Sequence, residues 1–88
     1  MRFEWDERKR LANLAKHGLD FLDAELVFDG PCYGYQSPRE GEDRWVTVGS
    51  LEGREVAVVW TQRLDVIRLI SFRRARHEER RQHRELYG

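Results

Sequence analysis

The chain has 88 residues, 40% of them hydrophobic, and its 16 basic and 16 acidic side chains give a formal net charge of zero. A chain this short forms one domain, residues 1–88, around one thin core. It has no apolar run that could cross a membrane, one cysteine and so no internal disulfide, and no Cys/His cluster with zinc spacing. Because the first residues lack the apolar stretch of a signal peptide and there is one cysteine, we expect a cytoplasmic protein. We also expect no metal or other cofactor, since no residues have metal-ligand spacing.

The charge is unevenly distributed along the chain. Residues 66–88 contain 7 Arg against 3 Glu, a net of +4, whereas residues 1–30 and residues 31–65 each have a net of −2. Of the 16 basic residues, 14 are Arg, which pairs bidentately with carboxylate or phosphate. This bias suits a phosphate-binding site or an acidic protein partner, and it equally suits a salt-bridged surface.

The first third of the chain predicts a short strand and two helices. Residues 3–5 alternate as an edge strand does. A helix is predicted over residues 7–17, because Asp6 is a good N-cap and Gly18 suits the left-handed position that follows a helix. Asp20 is a second N-cap, and apolar residues at helical spacing predict another helix that ends before Asp29-Gly30-Pro31.

The rest of the chain predicts a small sheet and a final helix. We expect strands over 32–36, 44–51, 55–61 and 66–72, a polar loop over 37–43, and a charged helix over 74–87. Strands joined by such short turns pair antiparallel. The fold class is therefore α+β: an N-terminal strand and two helices, an antiparallel sheet of three or four strands, and a C-terminal helix.

Four groups of residues stand in an order and spacing known from one protein family. They are Phe3-Glu4-Trp5-Asp6 with Asn13, Lys16-His17-Gly18, Phe21 and Ala24; Gly41-Glu42-Asp43-Arg44 with Gly49; Ile67-Arg68-Leu69-Ile70-Ser71 with Arg73 and Ala75; and Glu79-Arg80. In these features the chain resembles the BrnT family, the toxins of a bacterial type II toxin–antitoxin pair. The resemblance covers almost the whole chain, and it departs from the family at Gln62, where Glu is frequent, and at Phe72, where a small residue is usual.

The resemblance implies a RelE-like fold and a metal-independent endoribonuclease that inhibits translation. It also implies neutralisation by a BrnA-like antitoxin, in a heterotetramer or larger complex, with DNA contacted only through that antitoxin. RNA would be the substrate, and no membrane is involved.

RNA cleavage without a metal needs a base, an acid and cations that stabilise the charge on the phosphate. Lys16 and His17 are candidates, with Lys16 on the phosphate and His17 as a proton carrier, since His titrates nearest neutral pH. The alternative is structural, because cations in a last helical turn before Gly18 offset the helix dipole.

Arg44, at the start of a predicted strand, is a second candidate. It would bind phosphate, with Glu42 orienting it or acting as the base; alternatively the two form an exposed ion pair. Trp45 would stack on a base of the RNA, or lie in the core.

Arg68 is predicted to lie inside an apolar strand, where an unpaired charge is costly. It therefore faces an open cleft or pairs with an acidic residue such as Glu4. Arg73 would join the same anion site, or be a surface charge where the helix begins. Arg74 and Arg76 would contact the RNA backbone, while most of the final helix is expected to be a solvated face of weak ion pairs.

Two function hypotheses remain open on the sequence. The first is an endoribonuclease toxin held inactive by a protein partner. The second is a catalytically weak or inactive module that only docks a partner. A small metalloenzyme is disfavoured, because no carboxylate or His pair has ligand spacing.

Overall fold

The structure is a computed structural model that describes residues 1–38 and 43–88. Its elements are β1 (Arg2–Glu4), α1 (Glu7–His17), a 3-10 turn (Phe21–Asp23), α2 (Ala24–Asp29), β2 (Tyr33–Ser37), β3 (Arg44–Leu51), β4 (Arg54–Arg63), β5 (Val66–Arg74) and α3 (His77–Tyr87). The predicted α+β class and the order of its elements are confirmed. Within these residues no helix is long and apolar enough to cross a membrane.

Helix α1 begins and ends as its sequence predicts. The Asp6 carboxylate accepts a hydrogen bond from the Arg8 backbone N–H at 2.8 Å. At the other end Gly18 has φ +70° and its N–H donates to Leu14 O at 2.8 Å. Side-chain capping and a left-handed glycine thus fix both ends of a helix that has only one buried residue, Asn13.

The two later helices differ from their predicted bounds. The segment after Asp20 divides into the 3-10 turn Phe21–Asp23 and α2, because Asp20 caps the turn rather than a continuous helix. Helix α3 begins at His77 rather than at residue 74, since Arg76 is its extended N-cap and donates its backbone N–H to the Glu79 carboxylate at 2.8 Å.

The strands form one five-stranded sheet in the order β1-β5-β4-β3-β2. Strands β2 to β5 pair antiparallel, as predicted. Strand β1 pairs parallel with β5, with Arg2 opposite Val66 and Glu4 opposite Arg68, so that the sheet is mixed. The first residues of the chain are therefore fastened beside its last strand.

A β-bulge interrupts the pairing of β4 with β5. Val59 lies opposite Ser71 and Trp60 lies opposite Leu69, which leaves Ile70 as an extra residue in β5. The prediction of strict alternation, with Val66, Arg68, Ile70 and Phe72 on one face, is therefore wrong. Phe72 instead joins Ile67 and Leu69 in the core, because the extra residue reverses the alternation.

The sheet buries apolar side chains on both of its faces. One face packs on the 3-10 turn and α2 through Leu19, Phe21, Ala24, Val27, Val56, Val58, Ile67, Leu69 and Phe72. The other face carries a smaller cluster of Val46, Val48, Ala57 and Ala75, and Ala75 immediately precedes α3. This second face is only partly covered, and it provides the floor of a cleft.

Candidate active site

A cleft of about 510 Å³ lies on the partly covered face of the sheet. Its lining comes from the end of α1, the end of β2, the start of β3, the middle of β4, the second half of β5, and the N-cap of α3. The lining residues are Lys16, His17, Tyr35, Ser37, Pro38, Arg44, Val46, Val59, Ile70, Ser71, Arg73 and Arg76. Segments far apart in the sequence thus meet around one concave surface.

Asn13 holds the end of α1 at the rim of this cleft. Its amide Nδ2 donates to Phe72 O at 2.8 Å and to Leu19 O at 3.0 Å, and its Oδ1 accepts from the Phe72 N–H at 3.0 Å. These bonds fasten α1 to the backbone of β5, where β1 no longer pairs with that strand. They position the last turn of α1, with Lys16 and His17, over the cleft.

The bulge in β5 shapes the cleft floor. Ile70 and Ser71 are consecutive in sequence, yet both line the cleft together with Val46 and Val59. In a regular strand two consecutive side chains point to opposite faces. The bulge redirects one of them, an effect that is common beside binding sites.

Arg73 and Glu79 form a buried ion pair at the wall of the cleft. Arg73 Nη1 and Nη2 donate to the two Glu79 carboxylate oxygens at 2.7 and 3.0 Å, and the side chains are 14% and 6% exposed. The Arg76 N–H and the Tyr35 hydroxyl also donate to this carboxylate. The guanidinium of Arg73 is thereby held in one orientation beside the cleft.

The ionisation of these groups follows from their contacts. Burial opposes the charge on Glu79, but the hydrogen bonds from Arg73, the Arg76 N–H and Tyr35 together outweigh it and lower the pKa of Glu79 to about 2. The bond to Glu79 raises the pKa of Arg73. Burial, followed by the bond to Glu79, raises the pKa of Tyr35. At neutral pH Glu79 is ionised, so the cleft wall carries the Arg73–Glu79 ion pair and a neutral Tyr35 phenol.

The cleft gathers five of the predicted site residues: Lys16, His17, Arg44, Arg73 and Arg76. Arg68, Trp45 and Arg74 do not line it, and Glu42 lies outside the described residues.

Arg68 forms an ion pair with Glu4, which is the alternative that the sequence analysis gave for this residue. Its Nη1 lies 2.8 Å from Glu4 Oε2, and the two residues are directly paired across β1 and β5. The parallel pairing of β1 brings this carboxylate into reach. The charge of Arg68 is thus neutralised by Glu4 outside the cleft.

Trp45 and Arg74 lie on the opposite face of the sheet. Arg44 and Val46 line the cleft, so the intervening Trp45 points away from it, and its ring stacks on Trp60 at 6.1 Å. Arg74 is exposed and pairs with Val56, a residue of the core on the helix-covered face.

Sequence reasoning missed two residues of the site, Tyr35 and Glu79. Glu79 was assigned to a solvated face, whereas it is 5% exposed. A signal existed, because a Glu three residues after an N-cap commonly accepts from the N-cap N–H. Tyr35 gave no such signal, since its role depends on contact with a helix 44 residues away.

The two departures from the family pattern lie outside the cleft. Phe72 is fully buried and fills the core. Gln62 is exposed near the β4–β5 turn, where its Nε2 donates to Leu64 O at 2.8 Å. Neither side chain is among those that line the cleft.

The electrostatics of the cleft favour an anion. Three Arg and one Lys side chain line it, together with His17; Arg73 is paired with Glu79 behind the wall, and among the described lining residues none is acidic. Over residues 1–38 and 43–88 no group of three or more His, Cys, Asp or Glu could hold a metal ion. Fold and site thus define a small α+β domain with a cationic cleft that can accommodate a phosphodiester.

Residues 5–79 match the sequence model of a family described as the ribonuclease toxin BrnT of type II toxin–antitoxin systems. The match covers most of the chain, which therefore belongs to the BrnT family, as its motifs indicated. The activity of this family is that of a ribonuclease toxin, with RNA as substrate and an antitoxin protein as partner. No curated protein matches the chain at a significant level.

Proposed function

We propose that this chain is a metal-independent endoribonuclease that works in the cytoplasm and inhibits translation by cutting RNA. A BrnA-like antitoxin would hold it inactive in a heterotetramer or larger complex. The observation that supports this proposal is the convergence of Lys16, His17, Arg44, Arg73 and Arg76 on one cleft without a described acidic lining residue. Family membership supports the general activity.

The side chains of the protein and the ribose of the RNA can together supply every group that the reaction needs. The ribose 2′-hydroxyl attacks the neighbouring phosphorus, its proton passes to a base, and the bond from phosphorus to the 5′ oxygen breaks. An acid protonates the departing oxygen, so that the products are a 2′,3′-cyclic phosphate and a 5′-hydroxyl. The transition state gains negative charge on the phosphate oxygens, and fixed cations stabilise it most.

We assign Lys16, Arg44 and Arg73 to the phosphate oxygens. Arg73 is the best preorganised of the three, because Glu79 already fixes its guanidinium. His17 is proposed as a proton carrier, and Arg76 as a contact to the RNA backbone. Glu42 stays a proposed orienting residue or base.

An RNase assay tests the metal-free mechanism. The purified chain is incubated with a short synthetic RNA, in EDTA or in Mg²⁺, and the product ends are identified by mass spectrometry. We expect equal cleavage in both buffers, a 2′,3′-cyclic phosphate, and no cleavage where a 2′-deoxynucleotide replaces the nucleophile. Cleavage that stops on chelation, or that persists without the 2′-hydroxyl, would overturn the mechanism.

Charge removal at the cleft tests the assignment of residues. Lys16→Ala and His17→Gln are each expected to slow cleavage by at least about tenfold. Lys9→Ala is the matched control, because Lys9 is an exposed cation on the same helix that does not line the cleft. If all three variants cleave at the wild-type rate, the cleft is not the active site. If the unaltered chain binds its antitoxin but leaves RNA intact and growth unaffected, the docking module is correct.

A further inference from the structure

A second hollow, of about 420 Å³, lies beside the cationic cleft and shares Tyr35 with it. It is lined by Tyr33, Gly34, Tyr35, Glu78, Glu79 and Gln82, which come from β2 and from the first turns of α3. The two depressions are therefore neighbours, and Tyr35 lines both. A ligand held by phosphate in the first can extend into the second.

The aromatic wall of this hollow is rigid. The rings of Tyr33 and Tyr35 lie 6.5 Å apart at an interplanar angle of 28°. Both hydroxyls donate to Glu79, Tyr33 to its backbone oxygen at 3.0 Å and Tyr35 to its carboxylate. Tyrosine rings that are already fixed lose little conformational freedom on binding. Such rings are the usual platform for an unstacked RNA base.

The polar rim of the hollow contains a carboxylate that is available to a ligand. Glu78 is 76% exposed in its side chain, and its ion pair with Arg81 is long, at 3.9 Å. An exposed pair of this kind is weak and readily exchanged. An ionised carboxylate only accepts hydrogen bonds, so the complementary base must present N–H donors.

We propose, building on the ribonuclease function above, that this hollow binds a guanine base of the RNA adjacent to the cleaved phosphodiester. Guanine presents neighbouring N1–H and N2–H donors, which a carboxylate accepts in two parallel bonds. Adenine, cytosine and uracil each place a hydrogen-bond acceptor beside their donor, and that acceptor opposes the Glu78 carboxylate. The tyrosine rings supply stacking of any base, and Glu78 supplies the selection of guanine.

Binding of RNAs that cannot be cleaved tests this subsite apart from the chemistry. The probes are fluorescent 2′-fluoro oligouridylates with one guanine, inosine or adenine at an internal position, and Kd is measured by anisotropy. For the unaltered chain we expect guanine to bind about tenfold more tightly than adenine, with inosine between them because it lacks the N2 amine. Glu78→Gln is expected to remove this preference.

Glu85→Gln is the matched control. Glu85 lies on the same helix, pairs with the same Arg81 and is 62% exposed in its side chain, but it does not line the hollow. This variant is expected to keep the guanine preference. Tyr35→Leu, with its fold checked by circular dichroism, is expected to weaken all three probes alike, because stacking tolerates any base.

Two results overturn the subsite while leaving the ribonuclease proposal intact. One is RNA cleavage by the unaltered chain with no preference for guanine among the probes. The other is a guanine preference that survives Glu78→Gln. If that variant keeps the guanine preference but loses antitoxin binding, the hollow is a protein-binding surface. If the unaltered chain neither binds nor cleaves any RNA, the ribonuclease proposal itself fails, and the subsite fails with it.

Discussion

Replacement of Glu79 by Gln is the sharpest test of how the cleft wall is held. Glu79→Gln keeps the size of the side chain but removes the charge that pairs with Arg73 at 2.7 Å. Arg73, 14% exposed, then lacks a counterion, and the carboxylate bonds with Tyr35 and the Arg76 N–H are replaced by weaker ones to an amide. Breaking one side of a buried pair is strongly destabilising.

The magnitude follows from the lowered pKa of Glu79. The ordinary value is 4.5 and the folded value is about 2, and each pKa unit is worth about 1.4 kcal/mol. Ionised Glu79 therefore contributes about 3 kcal/mol to the free energy of unfolding. Because the folded pKa is the lower one, this contribution is fully present above about pH 5 and is lost as the pH falls from about 4.5 towards 2.

Urea unfolding of the wild type and of Glu79→Gln, from about pH 7 down to about pH 2.5, measures this contribution. The two free energies of unfolding are expected to differ by about 3 kcal/mol at neutral pH and to converge at the acid end, where wild-type Glu79 is becoming protonated. Glu85→Gln, an exposed change on the same helix, is expected to shift stability by less than about 0.5 kcal/mol throughout.

A neutral-pH difference below about 1 kcal/mol would show that the ion pair adds little beyond its desolvation. A difference that stays constant from neutral to acid pH would show that the variant acts through packing rather than through charge. Either result would refute the electrostatic account of Arg73.

Three further changes test other contacts. Gly49→Ala is expected to destabilise by about 1–3 kcal/mol in urea unfolding, because the added Cβ would lie 2.8 Å from Val27 Cγ1; unchanged stability would contradict the close packing of α2 on β3. Asn13→Ala leaves the buried Phe72 backbone groups unpaired, so a loss of about 2–4 kcal/mol and slower RNA cleavage are expected together. Arg68→Ala is expected to leave the cleavage rate within about twofold and to lower stability by about 1 kcal/mol; a large loss of cleavage in a folded variant would return Arg68 to the active site.

Local signals predicted much of this fold. Helix α1 is bounded by Asp6 and Gly18, whose side-chain and backbone properties define a helix start and end without help from the rest of the chain. The β3–β4 and β4–β5 hairpins follow from β-forming runs separated by short turns. The family resemblance added the expectation of a RelE-like fold.

Long-range pairing could not be predicted from these signals. A three-residue strand carries no information on whether it pairs parallel or antiparallel, and β1 pairs with residues more than sixty positions away. A run of β-forming residues does not indicate where a bulge lies. The sequence therefore predicts the wrong face of the sheet for the β5 side chains that follow Ile70. The ion pair of Arg68 with Glu4 depends on the parallel pairing of β1 with β5, so the sequence could give it only as an alternative.

The positive charge of the candidate site could be predicted from the sequence, but the residues that hold its charged side chains in place could not. The sequence predicts Lys16, Arg44 and Arg73 as cations of the site, and the structure brings them to one cleft. The residues that hold the cleft wall in place, Tyr35 and Glu79, read as ordinary strand and surface positions. Their importance arises only when β2 and α3 come together.

The cleft takes side chains from residue 16 to residue 76, and β1 is fastened beside β5 by the pairs from Arg2–Val66 to Glu4–Arg68. Four of the twelve lining residues, and the strand that pairs with β1, come from residues 66–76. A polypeptide interrupted before β5 would carry Lys16 and Arg44 without the strand to which α1 and β1 are fastened. We expect fragments that end before β5 to lack the assembled cleft, so the cleft forms only after that strand has been synthesised.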